Sequence, residues 1–418
     1  MTSRSVKTGA GFTPSFTLLE LLIVIGIIAV LGSVTFIALN PVETIRASRD
    51  TQRFSDLDAL NKAVNMAVIE NTSASLGTAS TVYVSLPDAS STCASWSLPS
   101  LPTGWAYHCA ASSTYTLTNG TGWLPVNLAS LSTGSPIAHD PLDPTNDATH
   151  YYQYVPNPSQ TTWELASVME SAKYKMGGPN DKTSTDGGQN LGLYEKGTDL
   201  TLVPVDSGDQ SLVGWWPLNE GSGTVAYDRS GKGNNGNWGG TPAGDNGTYY
   251  TTSNGKTVGK FDGSDDIINL SGLNVNTVAT GAQTSVSFWM YWNGAIWKMP
   301  FGFSGYDLIT NTSTFGFNTA NSDMYGMSSA PSINNWVHVV AIFTNGDVHS
   351  NKLYINSVQQ SLSQVLNTPR TANVSAIASI AQWPGGSGYF FGSMLRDVHI
   401  YNRALSAQEI QAIYNATK

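Results

Sequence analysis

The alternation of apolar and polar positions divides the chain into three regimes. Residues 16–39, FTLLELLIVIGIIAVLGSVTFIAL, are apolar on every face and carry a single charge. As a helix this run extends about 36 Å, enough to cross a hydrocarbon core of about 30 Å. It is longer than the apolar region of a secretory signal peptide. Arg4 and Lys7 precede it, which keeps the amino end cytoplasmic. The pattern therefore predicts a transmembrane helix. Asn40 and Pro41 should bend that helix, because proline removes a backbone donor. An amphipathic continuation follows, with Phe54, Leu57, Leu60, Val64 and Val68 at helical spacing and Arg49, Asp50, Arg53, Asp56 and Asp58 off that stripe.

From about residue 75 the pattern changes to short apolar runs punctuated by Ser, Thr and Gly: TVYVSL, STYTLT, YYQYVP and TWELASVM. These read as strands of a small α+β head over residues 75–203, backed by the long helix of residues 16–74. Residues 204–210 read as a linker. Over 211–418 tryptophan-rich runs alternate with Gly/Asn/Ser turns: LVGWWPL, TSVSFWMYW, NWVHVVAIFT, KLYINS and MLRDVHIYN. Val286, Phe288, Met290 and Trp292 fall on one face at period two, and several such runs predict an all-β sandwich of two sheets. The expected fold class is thus a long amino-terminal transmembrane helix with an α+β head, then an all-β sandwich.

Composition narrows the setting. Charged residues are 12% of the chain, about half the ~25% usual in soluble proteins, and Ser, Thr, Asn and Gly take their place. That suits an extracellular β-rich surface. Residues 1–53 carry a net +2, whereas the rest sets fifteen Lys/Arg against 26 acids, −11. So acidic a body repels phosphate backbones, excluding nucleic acid as a partner, and suits cations such as calcium. Cys93 and Cys109 are the two cysteines, with no metal-binding spacing. In an oxidising compartment they should form a disulfide; two free thiols are the alternative.

Glu20 is out of place in a plain anchor, since an unpaired carboxylate inside a membrane helix costs several kcal/mol. Were the chain cut between Ser15 and Phe16, Glu20 would lie one turn from a new α-amine, its own or a neighbouring subunit's. The stretch S-FTLLELLIVIGIIAVLGS resembles the amino-terminal segment of type IV pilins and type II secretion pseudopilins. Ser15, Phe16 and Glu20 match the family's cleavage site, new terminus and glutamate, with Ser15 standing where glycine is usual. The resemblance implies a leader of residues 1–15, a prepilin peptidase that cleaves before Phe16 and N-methylates it, an assembly platform, and polymerisation with other subunits through the apolar helix. It also implies a single-pass protein of the cytoplasmic membrane before assembly, and a cell-surface, periplasmic or extracellular filament afterwards.

The segments LVGWWPLNEGSGTVAYDRSGKGNNGN, GKFDGSDDIINL, NWVHVV, KLYIN and LRDVHIYNRALSAQEI, in that order, resemble laminin-G-like domains of the concanavalin A-like lectin/glucanase superfamily. Ser357 departs from the glycine common after the LYIN strand. The resemblance implies a structural calcium held by Asp228, Asn234 and Asp397 with carbonyls of residues 231–236. A second candidate is the head segment MGGPNDKTSTDGGQ, similar to the calcium loop of major pseudopilins. There Asp181 and Asp186, with Thr183 and Ser184, either surround a hard cation or form a polar loop.

Glycoside hydrolysis usually needs two carboxylates across the bond. The sandwich region has only Glu220 and Glu409, lacks an E-x-D-x-E strand, and places Asp265 and Asp266 side by side, on opposite faces if they lie in a strand. His338 and His399 sit inside strand patterns. The chain is therefore expected to be a non-enzymatic filament subunit displaying a module that binds carbohydrate, through Trp238, Trp297, Tyr306 or Trp383 in loop-like contexts. A protein-interaction or spacer module is the alternative, and a membrane-anchored glycan-active enzyme the remote one.

Overall fold

The computed structural model describes residues 17–71, 74–240, 248–311 and 314–418, with the side chains of 34–39 and 248 left aside. Strand outweighs helix in the fold, and three α-helices occur among the described residues. Helix α1 (Leu18–Leu39) opens on a capping box in which the Thr17 hydroxyl accepts from the Glu20 amide and the Glu20 carboxylate accepts from Thr17. It ends at Asn40, whose left-handed φ of 37° breaks the axis before α2 (Pro41–Glu70) begins with proline at its first position.

The expected membrane-crossing helix is corrected here. Among the described residues no helix is long and apolar enough to cross a membrane. Helix α1 stops at Asn40, where left-handed backbone separates it from the polar helix α2.

Helix α2 lies on a five-stranded sheet formed by β1 (Thr81–Pro87), β2 (Ala106–Ala110), β3 (Tyr152–Asn157), β4 (Thr162–Val168) and β5 (Leu193–Gly197). The strand order is β2-β1-β3-β4-β5, with β1 and β2 parallel and the other pairs antiparallel. Alternation along β1 explains why both faces of this sheet are covered. Tyr83 joins Leu57, Leu60, Val64, Trp123 and Trp163 beneath α2. Val82, Val84 and Leu86 join a second cluster on the opposite face, which holds the Cys93–Cys109 disulfide. The STYTLT run forms turns rather than a strand.

Two charges read as solvated lie at the centre of the head. Asp50 and Arg53 continue the buried face of α2 through Leu57 and Leu60, and both are 0% exposed. Arg53 donates Nε and Nη2 to the two oxygens of Asp143 (2.6 and 2.7 Å), Nη1 to Asp50 (2.8 Å) and Nη2 to Glu170 (2.6 Å). Asp50 also accepts from the amides of Glu170 and Ser171. Neighbouring Arg49 pairs with Glu170 as well. The cluster fixes the start of α2 to the loops at residues 143 and 170.

The segment read as a linker is packed. Val203, Val205, Asp206 and Ser207 are buried, and the Asp206 amide donates to the Arg229 carbonyl (2.7 Å). Leu191 of the head shares a buried cluster with Trp215, Tyr401, Ile410 and Ile413. Strand β6 (Leu212–Trp216) then enters the sandwich by pairing with Met394–Tyr401.

One sandwich sheet runs Val358–Gln359, Lys352–Ile355, Trp336–Thr344, Gln283–Tyr291, Met394–Tyr401, Thr257–Lys260, Thr248–Thr251, with β6 beside Met394–Tyr401. The facing sheet runs Leu362–Leu366, Met324–Met327, Phe315–Asn318, Tyr306–Thr310, Phe301–Phe303, Ala378–Ile380, Ile267–Leu270, Gly236–Gly239, Val225–Ala226. All recorded pairings in both sheets are antiparallel. Val286, Phe288, Met290 and Trp292 meet Phe301, Tyr306, Leu308 and Phe317 between the sheets. Helix α3 (Ala407–Thr417), entered through a Ser406/Glu409 capping box, turns Ile410 and Ile413 onto the junction with the head.

Candidate functional site

Period-two alternation in Tyr306–Thr310 sends Tyr306 and Leu308 into the core and Asp307 and Ile309 to the outer face of the sheet. Asp307 stands opposite Asn318 on one neighbouring strand and Gly302 on the other. The row continues through Ser379, Asn269 and Asn237, a polar ladder across the outer face. Beside Asp307 lies a cavity of about 730 Å³, walled by Trp297, Trp383 and Tyr389 and floored by Met299, Ile309, Asp307 and Asn318.

Glycine makes room for this arrangement. A Cβ on Gly302 would lie 2.5 Å from Asp307 Oδ1 and 2.9 Å from Trp383 Cβ. Three other lining residues, Trp297, Ala320 and Ser322, hold left-handed backbone at φ 57°, 57° and 53°. Such conformations cost energy for non-glycine residues and persist where surrounding contacts enforce them. The Trp297 amide donates to the Thr310 carbonyl (2.7 Å). Asp323 gathers the 319–323 turn by accepting from the Thr319 amide (2.9 Å) and hydroxyl (2.9 Å) and the Asn321 amide (3.1 Å).

The cavity presents unmet hydrogen-bonding capacity. Asp307 is 2% exposed, and its Oδ1 has no hydrogen-bond partner. Burial, reinforced by the Asp323 charge, pushes the Asp307 carboxyl well above the usual carboxylate range. The Trp383 indole N–H is likewise buried and unpartnered. Trp297 (42% exposed) and Tyr389 (39%) offer ring surface at the rim.

Of the four aromatic residues singled out from sequence, Trp297 and Trp383 line the cavity and two belong to the core. Tyr306 is buried and donates its hydroxyl to Asn351 Oδ1 (2.8 Å), while Trp238 stacks on Phe261 and donates to the Tyr249 hydroxyl (2.9 Å). Sequence reasoning missed Asp307, Asn318, Asp323 and Tyr389. The available signal was the carboxylate in YDLIT, flanked by two core-facing apolar residues and so directed outward.

The sandwich ligands implied for calcium are engaged in hydrogen bonds and an ion pair of the protein itself. The Asp228 carboxylate already accepts from the Trp215 amide (3.0 Å), the Ser230 amide (2.8 Å) and hydroxyl (2.9 Å) and the Asn234 amide (2.8 Å). Asn234 gives its side-chain N–H to the Val213 carbonyl, and Asp397 pairs with Arg396. Asp228 and Asn234 are thus joined to each other, while Asp397 is engaged by Arg396. An acidic cluster does exist elsewhere: Asp262, Asp265 and Asp266 bring carboxylate oxygens within 4.8 Å of one another. This corrects the expectation that Asp265 and Asp266 face apart, because they lie in the loop before Ile267–Leu270 rather than in the strand.

In the head, Asp181 accepts from Gly177 and Ser184, and Asp186 accepts from the amides of Gly188 (2.9 Å) and Glu195 (2.7 Å). Around Asp186 the chain buries Glu164 and Glu195, with Glu164 Oε1 and Asn190 Oδ1 unpartnered. Burial raises Asp186 to about 7 and raises both glutamates. No lysine or arginine pairs with these three among the described residues. Their carboxylate oxygens do not gather as those of Asp262, Asp265 and Asp266 do. Ser15 and Phe16 lie outside the described residues, and Glu20 caps its own helix.

An antiparallel two-sheet sandwich with a polar ladder and an aromatic-walled cavity on one outer face defines a lectin-like domain. Residues 262–411 match the family described as the concanavalin A-like lectin/glucanases superfamily, of laminin-G type, so the carboxy-terminal region carries such a domain. Among solved structures, the chain is similar to the receptor-binding domain of a botulinum neurotoxin C/D mosaic serotype (16% identity, 49% of this chain and 51% of that one, TM-score 0.36). It is also similar to the binding domain of Paraclostridial Mosquitocidal Protein 1 (12% identity, 50% and 52%, TM-score 0.38). A third is a Trypanosoma rangeli sialidase in complex with 2,3-difluorosialic acid (14% identity, 51% and 34%, TM-score 0.36). The chain thus spans about half or less of the length of these structures. No protein of curated function matches the sequence.

Proposed function

We propose that the sandwich is a carbohydrate-binding module, without hydrolytic activity, carried on a pilin-like filament subunit outside the cell. The observation that carries the binding role is the cavity at Asp307, where ring surface from Trp297, Trp383 and Tyr389 lies beside a carboxyl whose Oδ1 has no hydrogen-bond partner. Sugar rings present apolar faces for stacking and hydroxyls that both donate and accept. Binding without hydrolysis is supported by the state of the two carboxyls: Asp307 is packed against Gly302, and Asp323 is occupied by its own turn. A glycan array probed with the full chain tests this. Binding that is lost in Trp297→Ala supports the reading, and absence of glycan binding by folded protein overturns it in favour of a protein-interaction module.

The filament role is supported by the apolar side chains exposed along α1, which other copies could cover, and by the Ser15-Phe16 and Glu20 pattern. The disulfide supports an oxidising, extracytoplasmic location. Glu20→Ala should abolish assembly; normal filaments from that variant would defeat the role. Calcium would sit at Asp262, Asp265 and Asp266, whose carboxylate oxygens lie within 4.8 Å of one another, and chelation should then lower the melting temperature of the full chain.

A further inference from the structure

We propose that the cavity at Asp307 selects a sugar ring bearing a protonated amine, a hexosamine of the glucosamine type, over neutral and acidic sugars. The inference rests on the carbohydrate-binding reading above. Two carboxyls, Asp307 and Asp323, line the cavity, and among the described residues no lysine, arginine or histidine does. Lys298 gives its ammonium to the Gly263 carbonyl (3.1 Å), and Arg370, exposed to solvent, meets the 319–323 turn through its backbone amide, which donates to the Thr319 hydroxyl (2.7 Å).

An acidic sugar would set its negative charge beside Asp323 and a carboxyl already held toward neutrality. A neutral sugar brings no charge to offset the Asp307–Asp323 pair. A ligand ammonium donates to Asp307, relieves its repulsion with Asp323, and lies against aromatic faces that attract cations. Burial holds the empty Asp307 toward its protonated form, so the favoured ligand is one whose charge repays ionisation in a dry site.

The test is calorimetric titration of the full chain at pH 6 with three hexasaccharides of equal length: glucosamine, N-acetylglucosamine and glucose oligomers. The expected result is at least tenfold tighter binding of the free-amine oligomer. That binding should be lost in Trp297→Ala, whose rim position leaves the core intact, and should weaken at least tenfold in Asp307→Asn. Retained binding in Trp297→Ala would mean attraction to the acidic surface at large and would overturn the inference. Equal or tighter binding of either uncharged oligomer would overturn it while leaving the carbohydrate reading standing. So would failure of all three when other glycans bind on the array. Failure of every glycan would remove both. The comparison of the three ligands uses the unmutated chain, so it stands even if Asp307→Asn does not fold.

Discussion

Arg53→Met tests the charge cluster that ties α2 to the head. Methionine keeps most of the volume and all the apolar stem, so packing loss is small. What it removes is the cation shared by Asp50, Asp143 and Glu170, leaving three carboxylates around a buried position. Breaking a buried pair by removing one partner costs about 3–5 kcal/mol, because the abandoned charge remains desolvated. For a unit of 150–250 residues each kcal/mol moves the melting temperature by about 2–4 °C, so a fall of about 6–20 °C is expected. Thermal unfolding followed by tryptophan fluorescence reports it, since Trp123 and Trp163 are buried in the same half. Arg53→Lys, which keeps the charge but not the two-pronged contact with Asp143, should lose less. Adding Asp143→Asn to Arg53→Met should recover part of the loss through the coupling of contacting residues. A change below about 2 °C in Arg53→Met would refute the argument that the cluster holds the helix to the head.

Acidity should raise stability over part of the pH range. Burial lifts Asp140 and Asp186 to about 7 and Asp206 to about 6, above the unfolded value near 3.9. Each holds its proton longer when folded, so its contribution is present at low pH and is lost as pH rises through 6–7. His399 and His338, pushed down to about 4 and about 3, act in the opposite sense, losing stability as pH falls below about 6.5. The melting temperature is therefore expected to be higher at pH 6 than at pH 8, and Asp186→Asn should flatten that difference. Reduction of Cys93–Cys109, which are 16 residues apart, should cost about 3 kcal/mol, read from denaturant unfolding with and without reductant. Gly302→Ala places a methyl 2.5 Å from Asp307 Oδ1 and should reduce glycan binding at least tenfold in the same array.

The sandwich was readable from sequence because period-two alternation survives in its long strands: Val286, Phe288, Met290 and Trp292 read as one face and meet one core. The cysteine pair was readable too. Asp50 and Arg53 were misread because a charge pair three residues apart looks the same on a solvated face as on a buried one; loops near residues 143 and 170 decide the matter, and they are about 90 and 120 residues away. The membrane-spanning expectation is not met, since among the described residues no helix is long and apolar enough to cross a membrane. The cavity was half legible. Trp297 and Trp383 stand out by type, but their convergence on Asp307 and Asn318 requires strand pairings that join segments from 297 to 389. Tyr306 shows the opposite error, a residue in loop-like sequence that sits between the two sheets.

The buried junction at residues 203–207 bears on how the molecule carries mechanical load. If the sandwich is held at its outer face while α1 is held by neighbouring copies, tension runs through β6, the Arg403 pairs with Asp209 and Glu409, and the Arg53 cluster. A flexible tether would stretch first and let the sandwich swivel. Here Val203 and Val205 are packed, and the first yielding step is separation of an apolar seam. The attached module should therefore keep its orientation under flow, up to a threshold force, and then release abruptly.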